Sequence, residues 1–186
     1  MIRISIAGSE HLTSVTEVVS WGWPRVSDAP LRLYEGTVPP DWVDYNGHMS
    51  EWCYLLLVGH ASDAFFRHIG IDEAYRAAGH SLYTAETHLR HLRESSSGDR
   101  LAATLQLLDA DRKSLHIFHT ISNLTSGADV ATAEQLLVHV DMAAGRAAAM
   151  PAGLLARVEE IRAAHAALPV PAAVGHVMGI RRHAAG

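Results

Sequence analysis

The run Asp44-Tyr45-Asn46-Gly47-His48 stands directly before a long apolar segment, and it gathers the residue types with the most chemistry to offer. A carboxylate in such a place can attack an electron-poor carbonyl carbon, or take a proton from a water that does so. Asp44 is the group for either role, and the sequence leaves the two open. N–H groups at a helix start have no partners within the helix and carry its positive end, so they suit a developing oxyanion. Gly47 and His48 are the expected contributors there, and Gly47 also lets backbone approach a substrate closely. Against this, Asp44 and Asn46 can equally serve the turn through side-chain to backbone bonds. His48 can polarise a carbonyl or bond to the turn. Glu51 is a second acid in reach, fit to orient water, bind a cation, or sit in a first helical turn.

Aromatic residues crowd the same stretch: Trp42, Tyr45, Trp52 and Tyr54, with Tyr83 at the start of a later β-like run. A quaternary ammonium has no N–H, so it is held by aromatic faces and a nearby carboxylate, at about 0.5–2 kcal/mol per cation–π contact. The same aromatics also suit a core packed on a buried helix. Between Ser81 and Arg93, simple alternation places Thr84, Glu86, His88 and Arg90 on one face, and Tyr83, Thr87, His91 and Arg93 on the other. The first row is too polar for an ordinary core, so one row is expected to line a site or a subunit contact. His88 with His91, and His116 with His119, are spaced to face opposite sides of a strand, which argues against a metal site.

These residues need elements to position them. From Met49 to Ile69 there is no proline, and Trp52, Leu55, Leu56, Gly59, Phe66 and Ile69 recur at helical spacing. Leu55–Val58 is apolar all round, so the helix is expected to be enclosed. Ser50 is placed to cap it and Gly70 to end it. Alternation and β-branched residues predict a first strand over Leu31–Val38. Four more are predicted over Ser81–Arg93, Arg100–Leu108, Ser114–Leu124 and Val130–Met142, separated by turn-forming residues and so expected as a meander of hairpins. Asp72–Gly79 reads as a short capped helix and Met150–Ala167 as a terminal one. The expected division is an N-terminal extension over 1–30, one domain over 31–168 and a loosely held tail over 169–186.

With 186 residues and a formal charge of -5, the chain suits one domain and disfavours a nucleic-acid or anionic-membrane partner. Cys53 is the only cysteine and is expected as an inert buried thiol. The amino terminus lacks an apolar core followed by a cleavage site, and no run of about 18 apolar residues occurs, so a cytoplasmic protein is expected. A strand, a long apolar helix and then consecutive long strands imply an antiparallel sheet that curls around the helix, the α+β layout of the hotdog fold.

Asp44-Tyr45-Asn46-Gly47-His48-Met49 resembles the Asp-x-x-Gly-His-(Val/Met) signature of hotdog acyl-CoA thioesterases of the 4-hydroxybenzoyl-CoA thioesterase-like branch. The likeness covers roughly residues 31 to 142. The runs VPPDWVDYNGHMSEW, YTAETHLRHL and ATAEQLLVHVD are similar to thioesterases of carnitine breakdown, some joined to carnitine dehydrogenase, which hydrolyse betainyl-CoA to glycine betaine and CoA. Residues 1–30 would then include what serves as a linker in joined relatives. Two positions depart from the pattern: Trp42 stands where many relatives carry a second acid, and Ser50 where many carry Asn. The resemblance implies Asp44, Gly47 and His48 in catalysis, with Trp42, Tyr45, Asn46, Glu51, Trp52, Tyr83, Glu86 and Thr87 around the substrate. Arg90 and Arg93, with Arg100, stand where strands leave the core and can meet CoA phosphates, or else form an ordinary solvated face. The resemblance further implies no cofactor beyond the CoA of the substrate, and a homodimer or dimer of dimers with sites between subunits. Two other readings stay open: a hotdog enoyl-CoA hydratase using His48 with Glu51, and a non-catalytic binder of trimethylammonium or acyl ligands.

Overall fold

The computed structural model describes residues 29–180. The expected β-like start at Ile2–Ile6 and the cluster around Trp21 and Trp23 lie outside the described residues, as do the final six of the tail. In chain order the elements are β1 (Leu31–Thr37), a 3-10 turn (Pro40–Trp42), α1 (Glu51–Ile69), α2 (Glu73–Ala77), β2 (His80–His91), β3 (Arg100–Ala110), β4 (Ser114–Asn123), β5 (Ala128–Asp141), β6 (Arg146–Ala147) and α3 (Ala152–His165). The 3-10 turn and β6 have no counterpart in the sequence-based expectation.

The strands form one antiparallel sheet in the order β1-β3-β4-β5-β2, with the short β6 beside β5. The β3–β4 and β4–β5 hairpins are present, but the expected hairpin between β2 and β3 is not. The segment after β2 instead carries the chain past the start of α1, where Ser95 O accepts from Met49 N at 2.7 Å, and on to β1, where Gly98 N donates to Val38 O at 2.9 Å. Among the described strands β2 and β1 are therefore the two outer edges of the sheet. Only a crossing segment tied to both α1 and β1 allows that order.

α1 packs on the inner face of the sheet through Cys53, Tyr54, Leu57, Val58, Ala61, Ser62, Phe65 and Ile69. Trp52 and Leu55 lie outside this stripe and are 57% and 47% exposed, so the helix is covered on one side rather than all round as expected. Among the described residues no element covers the apolar side chains that point away from the sheet. Ser50 occupies the N-cap position, but its hydroxyl makes no capping bond; Gly70 ends the helix in the left-handed region at φ 97°. Burial, with a smaller contribution from the nearby Asp41 charge, pushes the Cys53 thiol up to about 11, which keeps it unreactive.

A register shift in the β2–β5 ladder overturns the face assignment made by alternation. Thr84 pairs with Leu137 and Glu86 with Leu136, so Ala85 is an extra residue. Leu137 is fully buried against α1 and Leu136 is exposed, so the strand changes face at Ala85. The inner row is Leu82, Thr84, Thr87, Leu89 and His91, and the outer row is Tyr83, Glu86, His88 and Arg90. His88 and His91 face opposite sides, as do His116 on the outer face and His119 inside.

α3 covers the part of β3 that β1 does not reach. The β1–β3 pairing ends at Leu105, and the Leu107 N–H donates to His165 Nδ1 at 2.9 Å. Leu154, Val158 and Ile161 join Phe65 and Ile69 in one core cluster. The chain then crosses to the outer face. Gln106 Nε2 donates to Pro169 O at 3.4 Å, Gly175 N donates to Glu134 Oε2 at 2.8 Å, and the His176 ring lies 5.8 Å from that of His88. The expected loose tail is thus a strap up to His176. Phe118, between Gln106 and Glu134 in register, is buried beneath it.

Candidate active site

The 3-10 turn after Pro39 delivers a tight loop closed by a bridge between Val43 and Met49. Inside it, Asp44 N donates to His48 O at 2.9 Å and Gly47 N to Asp44 O at 3.0 Å. Gly47 has φ 80°, which the loop requires, and open space beside it. The loop is pinned to α1 by Ser50 N donating to Trp42 O at 2.8 Å, and to the crossing segment by Met49 N on Ser95 O. Asp44 is half-buried, and its Oδ1 accepts from Asn46 N at 2.8 Å while Asn46 Nδ2 lies 3.4 Å from Oδ2. The turn-holding bonds weighed for Asp44 and Asn46 are therefore made. They use one donor per oxygen and leave lone pairs for other chemistry.

A count of the N–H groups locates the donors. Those of Asp44, Asn46, Gly47, Met49 and Ser50 are engaged. Among the described residues, the N–H groups of Tyr45, His48, Glu51 and Trp52 have no acceptor. The role expected of Gly47 is corrected accordingly: its N–H is spent inside the loop, and the unspent donors are Tyr45 and His48 in the loop and Glu51 and Trp52 in the first turn of α1. A carboxylate beside four unspent donors around a helix entrance has the parts that acyl transfer needs.

The aromatic residues meet this loop unevenly. Trp42 packs against the core cluster beneath α1, while Tyr45 is 97% exposed and Trp52 and Glu51 stand out from the first turn of α1. Tyr54 is turned inward, edge-on to His91 at 5.0 Å. Within one chain these rings form no closed box.

Tyr83, Glu86 and Thr87 are not brought to Asp44. α1 runs against β2: Tyr54 lies by His91, whereas Phe65 and Ile69 share a cluster with Leu82. From His91 back to Glu86 the strand covers about 16 Å. Tyr83 and Glu86 also face outward. Thr87 faces inward, and its hydroxyl accepts from Gln135 Nε2 at 3.0 Å. That bond belongs to a buried chain in which Ser62 Oγ donates to Gln135 Oε1 at 3.1 Å and lies 3.2 Å from His119 Nε2. Since the Ser62 proton goes to Gln135, His119 donates from Nε2. Burial lowers the His119 ring to about 4, so it stays neutral. The sequence offers no distinct signal for these bonds, because β4 and β5 carry other polar residues beside His119 and Gln135. Of the arginines, Arg93 donates to Asp129 O at 2.8 Å and Arg100 pairs with Glu35, so both are partly committed within the chain. Among the described residues Arg90 forms no ion pair.

An antiparallel sheet covering one long helix, with an acid held at that helix's entrance, defines the hotdog class of thioesterase-type proteins. Residues 38–158 match the thioesterase-like superfamily, and the chain belongs to that family. It is 48% identical over 151 residues to a protein of Pseudomonas aeruginosa named betainyl-CoA thioesterase, covering 81% of this chain and 95% of that one. It is 47% identical over 156 residues to the L-carnitine dehydrogenase/betainyl-CoA thioesterase of Rhizobium meliloti, covering 84% of this chain but 32% of that protein. The chain thus spans about a third of the length of such joined relatives. A Staphylococcus aureus protein solved in complex with CoA superposes with a TM-score of 0.76 at 25% identity, covering 82% of this chain and 97% of that one.

Proposed function

We propose that this chain hydrolyses the thioester of betainyl-CoA, releasing glycine betaine and CoA in the cytoplasm without a cofactor. One observation carries the substrate: 48% identity across nearly the whole of a protein named betainyl-CoA thioesterase. The chemistry fits the loop. The substrate carbonyl points at the N–H groups of His48, Glu51 and Trp52, which stabilise the oxyanion as the carbon becomes tetrahedral. Asp44 then acts in one of two ways. In the first, it bonds to the carbonyl carbon and expels the CoA thiolate, and water opens the resulting anhydride. In the second, it takes a proton from the attacking water, and the C–S bond breaks as the tetrahedral intermediate collapses. After a single turnover in heavy-oxygen water, label in the Asp44 carboxylate establishes the anhydride route with water attacking the Asp44 carbon, since the general-base route puts all of the label in glycine betaine.

The site is completed by a second copy. β2 is a long outer strand with one edge that no described strand pairs with, and Trp52, Leu55 and Tyr45 stand exposed at the same end as the loop. Antiparallel pairing of two β2 edges sets the loop of one copy towards the β2 of the other. In that homodimer, Trp52 and Tyr45 gain a second wall and can hold the trimethylammonium with Glu51. Arg90 remains available for a CoA phosphate.

Thiol release measured over betainyl-, acetyl-, aromatic and long-chain CoA esters tests the reading. Betainyl-CoA is expected to be hydrolysed with the highest kcat/KM, undiminished after dialysis against a chelator. Faster turnover of an uncharged ester, or loss of activity with the chelator, defeats it. Trp52→Ala is expected to weaken cationic acyl-CoA substrates selectively, and an equal loss on neutral chains removes the aromatic box.

A further inference from the structure

The outer face of the sheet carries a cleft of about 400 Å³, lined by Glu86, His88, His116, Glu134, Leu136 and His176 together with backbone near Gly175. It lies on the opposite side of the sheet from α1, and along β2 it is about 16 Å from the His91 end by which the Asp44 loop sits. Its walls come from β2, β4, β5 and the strap. Among the described residues no Lys or Arg lines it.

The cleft is built by specific devices. The extra residue at Ala85 turns Glu86 outward; without it, Glu86 would point to the inner face. Glu134 is fixed from both sides, by His116 Nε2 at 2.8 Å and by Gly175 N at 2.8 Å, so its charge is shared out within the wall. Glu86 has no such partner among the described residues, and it is the charge left for a ligand. The rings of His88 and His176 meet at 36° with centres 5.8 Å apart, and Leu136 adds an exposed apolar surface. Imidazole faces, an aliphatic wall and one uncommitted carboxylate make an environment for a cation that carries its own apolar shell. Among the described residues no three ligating side chains converge on one point, so the polar groups surround a volume rather than a bare ion.

The geometry points to a second binding site in this cleft, for a small organic cation such as a quaternary or protonated amine, held by Glu86 against the imidazoles of His88 and His176. This stands independently of the reaction proposed for the Asp44 loop.

Tetramethylammonium chloride is the probe, titrated into isotope-labelled protein carrying Asp44→Asn, with histidine ring and tryptophan indole signals followed by NMR. The ring signals of His88 and His176 are expected to shift saturably. Glu86→Gln should raise the midpoint of those shifts at least about tenfold. It should leave unchanged the midpoint of any indole shift from Trp42 or Trp52, which report the loop separately. Histidine rings that do not titrate, or a midpoint that Glu86→Gln leaves in place, overturn the site. Because Glu86 is exposed, the variant should keep the fold, and an unchanged methyl spectrum verifies this.

Discussion

At the scale of single residues, the proposed chemistry narrows to one carboxylate and its neighbouring amides. Asp44→Asn keeps the turn bond to Asn46 N, since the amide oxygen also accepts, but removes the charge and with it both nucleophile and base. Turnover is expected to fall by about a hundredfold or more, with the circular dichroism unchanged. Near-normal rates in that variant remove Asp44 from the chemistry. His119 gives a prediction of another kind. Its ring is held neutral by burial, at about 4 folded against about 6.5 unfolded, so the unfolded chain binds the extra proton between those values. Its contribution is fully present above pH 6.5 and drains away as the pH falls towards 4, a loss of roughly 3 kcal/mol at the low end. His68 and His165, also lowered by burial, act in the same direction. His119→Gln should therefore flatten, without abolishing, the fall in urea-unfolding stability over that range, and a slope identical to that of the parent chain refutes the assignment.

At the scale of elements, the strap makes the clearest mechanical prediction. Ending the chain after Leu168 uncovers Phe118 and removes the Gly175 N–H from Glu134. A stability loss of about 1.5–3 kcal/mol is expected from the exposed ring alone, with the thioesterase core still folded. An unaltered melting curve means that the strap adds nothing. The elements were largely legible in the sequence. Proline-free helical spacing marked α1, Gly70 marked its end, and turn residues marked the hairpins. Legibility failed wherever the answer depended on what one element meets in space. Parity along Ser81–Arg93 assumes an unbroken ladder, and nothing in the sequence shows that β5 leaves Ala85 unopposed. The position of β2 beyond β5 is likewise a matter of where the Ser95 segment is tied. The acid loop was readable because its residues are consecutive. The spent Gly47 N–H was not, since that is a matter of hydrogen bonds closing the loop. The buried Ser62–Gln135–His119 chain joins three separate elements, and only the fold brings it together.

At the scale of the molecule, the exposed stripe on α1 and the edge of β2 that no described strand pairs with are the surfaces on which the proposed second copy would sit. Sedimentation equilibrium is expected to give a dimer at the concentrations used for assay, and a fully active monomer would sink the shared site. Pairing also raises the question of where growth stops, because a sheet joined through β2 still has β1 at each far end. That strand is only seven residues long, its register slips between Arg32 and Tyr34, and Glu35 lies on it between the guanidinium groups of Arg32 and Arg100. Short, kinked and charged, it offers an incoming strand a poor template. In the proposed pair the two ends of the described sheet therefore have opposite manners: one is sticky and used once, the other is blunt, and the assembly is expected to close as a pair instead of running on into a fibre.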